Sequence, residues 1–235
     1  YIENLGGKNL ALQWERILEN VTEEWFHILG DDDMISENFV EEFYHSLPQI
    51  EENNINVIKV SQAIINEEGE FKTTFSQYKR IESSVDLWQQ KIYEGHRSSL
   101  SEHIFRKSSY DEFHFKKFPL AWHSDDLAVL EFSNFGKVYF IENAQVFVRI
   151  STVSISGNTE NKDFENQKVE ARYQFLGFVI NNYYKKFDDK LLLNLIDVQI
   201  AYSWKHQKRS NLNLYKLYGH LKNYKKILGI PRKEL

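Results

Sequence analysis

Two groups of carboxylates in this chain have the types and spacing to do chemistry. Asp31, Asp32 and Asp33 stand in a row after the apolar run WFHIL, residues 25 to 29. Asp125 and Asp126 follow Trp122 in FPLAWHSDDLAVLEF. Three adjacent like charges repel, so solvent, a helix N-terminus or a cation must compensate them. A carboxylate cluster at the C-terminal end of a buried strand lies where open α/β sheets place ligands. It suits a hard divalent cation, Mg²⁺ or Mn²⁺, held by one or two carboxylates with ligand phosphates completing the shell. The structural alternative is that one aspartate caps the next helix and the others are solvated. An EF-hand fails, because a loop starting at Asp31 puts Ile35 at the fifth position, Ser36 at the glycine position and Phe39 at the ninth. Asp125 reads either as the N-cap of a helix through Leu127 and Leu130 or as a general base near His123 and Trp122.

The elements that must position these acids are legible as patterns. Residues 8 to 20 carry Leu10, Trp14, Ile17 and Leu18 at helical spacing, behind a loop containing Gly6 and Gly7. WFHIL reads as a short buried strand, and Ser36 opens a capped helix through Phe39, Val40 and Phe43. INVIKVSQAII, residues 55 to 65, is a β-branched, alternating strand closed by the turn NEEGE. The polar stretch from Phe71 to Arg97 reads as a mobile or partner-facing excursion with some helix. Val138 to Ile141 and Val146 to Ile150 read as two strands separated by a polar turn. From Phe164 the pattern is helical almost to the end. Strands alternating with helices, then helices only, imply an α/β domain over residues 1–160 and a helical C-terminal extension over 161–235.

Composition narrows the function classes. The 42% hydrophobic and 15% aromatic content suffices for a packed core. There is no cysteine, so neither disulfides nor thiolate metal sites arise. No apolar run approaches the roughly 20 residues of a membrane span, and no signal peptide is visible. A cytoplasmic location follows as the expectation. Charge is lopsided within the net −5. Residues 1–54 hold thirteen acids against Lys8 and Arg16, whereas Lys205 to Leu235 holds nine Lys or Arg and one acid, Glu234. The acidic front would repel a nucleic-acid backbone, which argues against a metal-dependent nuclease. The basic, tyrosine-rich tail is either a solvated helix face or a peripheral contact with anionic lipid at the inner membrane face.

The order of these motifs resembles the inverting family 2 glycosyltransferases of GT-A fold. The matching stretches are NLGGKNLALQWERILENVTEEWFHILGDDD, SSLSEHIFRKSSYDEFHFKKFPLAWHSDDL and GKVYFIENAQVFVRISTVSISGN, spanning roughly residues 4 to 158. The resemblance implies a GT-A-like mixed sheet flanked by helices. It implies transfer of a sugar from a nucleotide-sugar donor to a glycan or lipid-linked acceptor. In such enzymes the acidic motif holds Mn²⁺ or Mg²⁺ on the donor diphosphate, which makes Asp32 and Asp33 the implied metal ligands. Gly6, Gly7, Asp31 and Arg149 would serve the donor, and Asp125, with Asp126 second, would be the base. Three features depart from the family. Gly30 stands where it usually has another Asp, and Gln13 and Trp14 stand near its Arg-Asn pair. Its opening strand–helix–strand has no counterpart after Tyr1, so an N-terminally incomplete domain is expected. The alternative reading is a non-catalytic relative that serves as an assembly module.

Overall fold

Val57–Ile65 sets the architecture, and in a computed structural model of the chain it is the central strand of a seven-stranded mixed sheet. Residues 10–75, 78–152, 154–158, 160–213 and 215–220 are described. The chain divides into two units, Tyr1–Gln167 and Lys168–Leu235. In chain order the first unit contains α1 (Leu10–Leu18), β1 (Trp25–His27), β2 (Met34–Ile35), α2 (Phe39–Glu52), β3 (Val57–Ile65), β4 (Phe71–Phe75) and β5 (Ile81–Ser83). It continues with α3 (Ser84–Tyr93), β6 (His103–Arg106), α4 (Lys107–Phe113), α5 (Ser124–Phe132) and β7 (Lys137–Arg149). The helix α6 (Lys162–Tyr183) crosses the division, and α7 (Asp189–Lys205) belongs to the second unit.

The strand order is β1-β6-β3-β7-β2, with β4 added beside β3 and β5 beside β7. β3 runs parallel to β7 and antiparallel to β6 and β4. All nine residues of β3 are buried, polar Lys59, Ser61 and Gln62 included. Both faces are covered, which is why the strand is not half-exposed as its alternation suggests. Val57 joins a cluster with Phe26, Phe105 and Phe132 on one face. Ile58, Val60 and Ile64 join Phe39, Ile50 and Tyr139 on the other.

Three expectations are revised. β7 is one strand rather than two, because its pairing with β3 resumes after an insertion. Val60 faces Ile141 and Ser61 faces Gln145, leaving Glu142 to Ala144 as a bulge. Ser61 Oγ donates to the Glu142 carbonyl at 2.9 Å, satisfying a backbone group that the bulge removes from the ladder. The stretch from Phe71 to Arg97 is integrated: it supplies β4, β5 and α3, the last capped by Ser83 Oγ, which accepts from the Val85 and Asp86 amides. Ser36 does not cap α2; its hydroxyl accepts the Gln145 amide at 3.0 Å and so ties β2 to β7. Gly6, Gly7 and the last fifteen residues of the basic tail lie outside the described residues. Among the described residues no helix is long and apolar enough to cross a membrane.

Phe105 is fully buried, with the rings of Phe26, Phe115 and Phe132 at 5.7, 6.0 and 5.3 Å. Truncation there leaves a cavity among rings that cannot close on it. Phe105→Ala is expected to lower unfolding free energy by about 3–5 kcal/mol in urea titrations.

Candidate active site

After β1 the chain turns, the Asp33 amide donating to the Gly30 carbonyl at 3.2 Å. This turn disposes of the three adjacent charges unequally. Asp33 is half-buried, and both of its oxygens accept hydrogen bonds: Oδ2 from Ser101 Oγ at 2.5 Å, Oδ1 from the Arg149 amide at 2.9 Å. Burial raises its pKa, the two hydrogen bonds oppose the rise, and the charges of Asp32 and Glu102 add to it; the net shift is upward. Asp31 and Asp32 stay exposed, with no side-chain hydrogen bond or ion pair among the described residues. A side chain in place of Gly30 would crowd this turn. A Cβ there would lie 2.9 Å from Asp33 Oδ2 and 3.2 Å from Asp32 Oδ1, so an Asp at this position would collide with the pinned carboxylate. The Arg149 guanidinium is occupied by backbone: Nε donates to the Asp32 carbonyl at 3.1 Å, Nη1 to those of Asn66 and Glu67 at 2.9 and 2.7 Å.

The segment Ser98–Glu102 leads into β6 and lies against β3. Its end residue Glu102 is fully buried. Lys59 Nζ donates to Glu102 Oε1 at 2.6 Å, the Gln62 amide donates to Oε2, and Ser99 Oγ also donates to Oε2 at 2.6 Å. Burial acts to raise the Glu102 pKa, but the Lys59 charge and these donors outweigh it and hold the group below its ordinary value. His103, buried beside Lys59, is pushed down to about 4, first by burial and then by that charge. Its neutral ring bonds the Ser99 carbonyl through Nδ1 at 2.7 Å. His27 likewise is lowered by burial and bonds the Ser101 carbonyl through Nε2 at 2.6 Å.

The second acidic pair begins α5. The residue preceding that helix is His123, not Asp125, and its backbone is left-handed, with φ 68°. Leu120 and Ala121 are also left-handed, at φ 55° and 53°. Each such non-glycine residue costs roughly 1–2 kcal/mol, so the surrounding structure imposes this loop. Ser124 Oγ anchors it by donating to the Lys116 carbonyl at 2.6 Å. Asp126 is buried between Lys91 Nζ at 2.6 Å and His123 Nδ1 at 2.7 Å. Burial would raise its pKa, yet Lys91 and His123 hold it well below the carboxylate range. The half-buried Asp125 makes no ion pair among the described residues, and the Lys91 charge and the Asp126 amide lower its pKa only in part. Burial, then the adjacent Asp126 charge, push it up to about 7. Two neighbouring carboxylates thus titrate differently: one is held as an anion, the other is raised toward neutrality.

One segment joins the two acidic groups. Ser101 donates to Asp33, and the Ser98 carbonyl accepts from Lys91, the cation that holds Asp126, at 2.9 Å. Sequence reasoning named all the acids on the two motifs but missed Lys59, Lys91 and Glu102, which hold them in place. The available signal was a lysine and a glutamine inside the apolar run INVIKVSQAII, which a doubly covered strand buries only if they are paired. Among the described residues no group of three or more His, Asp or Glu is placed to hold a metal ion.

No protein-family model matches the chain, and no curated protein matches it. Among solved structures the chain is similar to a crystal structure of residues 1–349 of S. aureus TarS. The identity is 13% and the TM-score 0.47, over 88% of this chain and 74% of that one. A likeness at that level concerns the path of the chain and says nothing of chemistry.

Glu102 and Lys59 test the network. Glu102→Leu leaves the Lys59 ammonium buried without its partner, and is expected to destabilise by about 3–5 kcal/mol. The double variant Lys59→Met with Glu102→Leu removes both charges and should lose much less, a non-additivity read from urea unfolding of the four proteins in the cycle.

Proposed function

We propose that this chain is a glycosyltransferase that moves a sugar from a nucleoside-diphosphate donor to an acceptor hydroxyl with inversion. The motif order in the sequence suggests the reaction. The observation that carries the reading is the single hydrogen-bonded segment, Ser98–Glu102, that ties the Asp31–Asp33 turn to the Asp125–Asp126 helix start.

Asp125 is the general base. A carboxylate whose pKa lies near 7 is basic enough to take a proton and is still largely ionised just above that pH. It takes the acceptor hydroxyl's proton as that oxygen bonds to the anomeric carbon from the face opposite the leaving group. The anomeric carbon–oxygen bond to the diphosphate breaks, its electron pair stays with the leaving oxygen, and the nucleoside diphosphate departs. Asp126, fixed by Lys91 and His123, keeps a negative charge beside Asp125 and so sustains its basicity.

A divalent cation, Mn²⁺ or Mg²⁺, is the cofactor that this reading calls for at the turn. The exposed Asp32 and Asp31 carboxylates would hold it. Such a cation uses one or two carboxylates and takes its remaining ligands from phosphate and water. When bound, it offsets negative charge on the diphosphate. Asp33, with both oxygens engaged by Ser101 and the Arg149 amide, sets the turn's shape. Arg149 supports the same turn through the Asp32 carbonyl.

Melting temperatures with UDP and with GDP, each with and without Mn²⁺, test the donor site. One nucleotide is expected to raise the melting temperature only with the metal, by the equivalent of about 2.7 kcal/mol at a hundred times its dissociation constant. Asp32→Ala should lose the rise. No rise with either nucleotide would sink the enzymatic reading in favour of an assembly module.

Base catalysis has its own signature in pH. Because Asp125 must be deprotonated to act, kcat/KM should climb as pH increases through about 7 and level off above it. Asp125→Asn should flatten the profile and lower the rate by roughly 10²–10⁴-fold. A profile unchanged in the variant would assign the base elsewhere.

A further inference from the structure

Between β3, α3 and α5 lies a cavity of about 20 Å³, lined in part by Lys59, Lys91, His96, Arg97, Ser98 and Asp126. That volume admits about one water or one ligand oxygen, so a larger ligand would rest at the mouth with one atom inside. The three full cations on this wall are not equivalent. Lys59 is paired with Glu102, and Lys91 with Asp126. Arg97 is half-buried yet makes no hydrogen bond or ion pair among the described residues. Glu102 and Asp33 act on it only through space, and burial is the larger influence on it.

A guanidinium carries five N–H donors and cannot shed its charge at neutral pH. Removing it partly from water with no acceptor is unfavourable. Its neighbour has a related deficit: His96 Nδ1 is buried without a hydrogen-bond partner among the described residues. Two consecutive residues therefore present unmet polar atoms at one small cavity. Arg97 can only donate, so its missing partner is an acceptor supplied from outside. A guanidinium matches an oxyanion best, through two parallel N–H···O bonds. The nearby carboxylates each have partners of their own, Glu102 in Lys59, Asp126 in Lys91 and Asp33 in Ser101.

We propose that Arg97, with His96 beside it, forms a metal-independent subsite for a phosphoryl group, set between the Asp31–Asp33 turn and the Asp125–Asp126 helix start. The His96 ring would add a donor from Nδ1. Two sources share this chemistry: the diphosphate of the donor, and a phosphate carried by the acceptor. Only the choice of these sources rests on the glycosyltransferase reading.

Calorimetry in EDTA separates the cases, with inorganic phosphate, UDP and glycerol 3-phosphate as probes. The proteins are the unaltered chain, Arg97→Gln and Arg97→Lys, each first shown to be folded by circular dichroism. At least one probe is expected to bind the unaltered chain without metal. Arg97→Gln should weaken that binding by about tenfold or more, as loss of charged hydrogen bonds predicts. Arg97→Lys should fall between, keeping the charge but not the fork. Tighter binding of UDP assigns the subsite to the donor; tighter binding of glycerol 3-phosphate assigns it to the acceptor. Absence of binding by all three probes, or equal binding by Arg97→Gln, overturns the subsite. The metal-dependent nucleotide shift lost in Asp32→Ala is a separate result, so the subsite and the proposed function can fail independently.

Discussion

The structure hinges on a charge buried against its central strand. Lys59 sits in the middle of the sheet, where an unpaired ammonium would be intolerable, and Glu102 meets it from a segment that is not itself a strand. Once that pair forms, the chain between α3 and β6 has little freedom. Glu102 also receives Gln62 and Ser99, so both its oxygens are satisfied and the segment is held at several points. A buried ion pair is weak evidence for stability, because well-packed apolar residues can often replace it. Its better-attested use is to fix register, and here it decides where Ser98 and Ser101 stand.

Those two residues carry the constraint outward in opposite directions. Ser101 engages Asp33 and, through its hydroxyl, the Gly30 amide at 3.3 Å, so the turn after β1 inherits its position from the sheet centre. Ser98 engages Lys91 through its carbonyl, and Lys91 sets Asp126. The differing titration of Asp125 and Asp126 is a downstream result of the same arrangement. Lys91 and His123 stabilise the anion of Asp126, and that anion together with burial raises Asp125. The left-handed residues at 120, 121 and 123 fit this picture. Strained backbone persists where surrounding contacts over-determine it, and such places tend to be functional.

The described part of the second unit is organised by its own polar network rather than by these acids. Gln199, fully buried on α7, donates to the Tyr173 carbonyl at 3.0 Å and to Asn211 Oδ1 at 2.7 Å. Asn211 in turn donates to Tyr173 at 3.1 Å, so the stretch after α7 is fastened to α6. Leu191, Leu192, Leu195 and Ile196 form the buried stripe of α7, the spacing expected of a helix with one packed face. Trp204 and Tyr215 remain almost wholly exposed in this unit.

The sequence by itself determined the element types wherever one periodicity dominated: α1 from Leu10, Trp14 and Leu18, β3 from its β-branched run, and α6 and α7 from their helical repeats. It also determined which carboxylates cluster, since Asp31 to Asp33 and the pair at 125 and 126 are adjacent in the chain. It left undecided what each carboxylate does, because partners come from far away: Ser101 lies 68 residues from Asp33, and Lys91 lies 35 from Asp126. The long polar stretch before Arg97 read as an excursion for a related reason. β5 pairs with β7, far along the chain, and local polarity carries no record of that pairing; β4 pairs with the adjacent β3, but its residues stay almost wholly exposed and so show no apolar alternation. β7 read as two strands because a bulge looks like a turn until Ser61 is seen to complete it. Only the tertiary structure could leave Asp33 tied and Asp32 free, or Lys59 paired and Arg97 open. A side chain's charge is written in the sequence, but its solvent exposure and its counter-ion are set by the packing of the whole sheet.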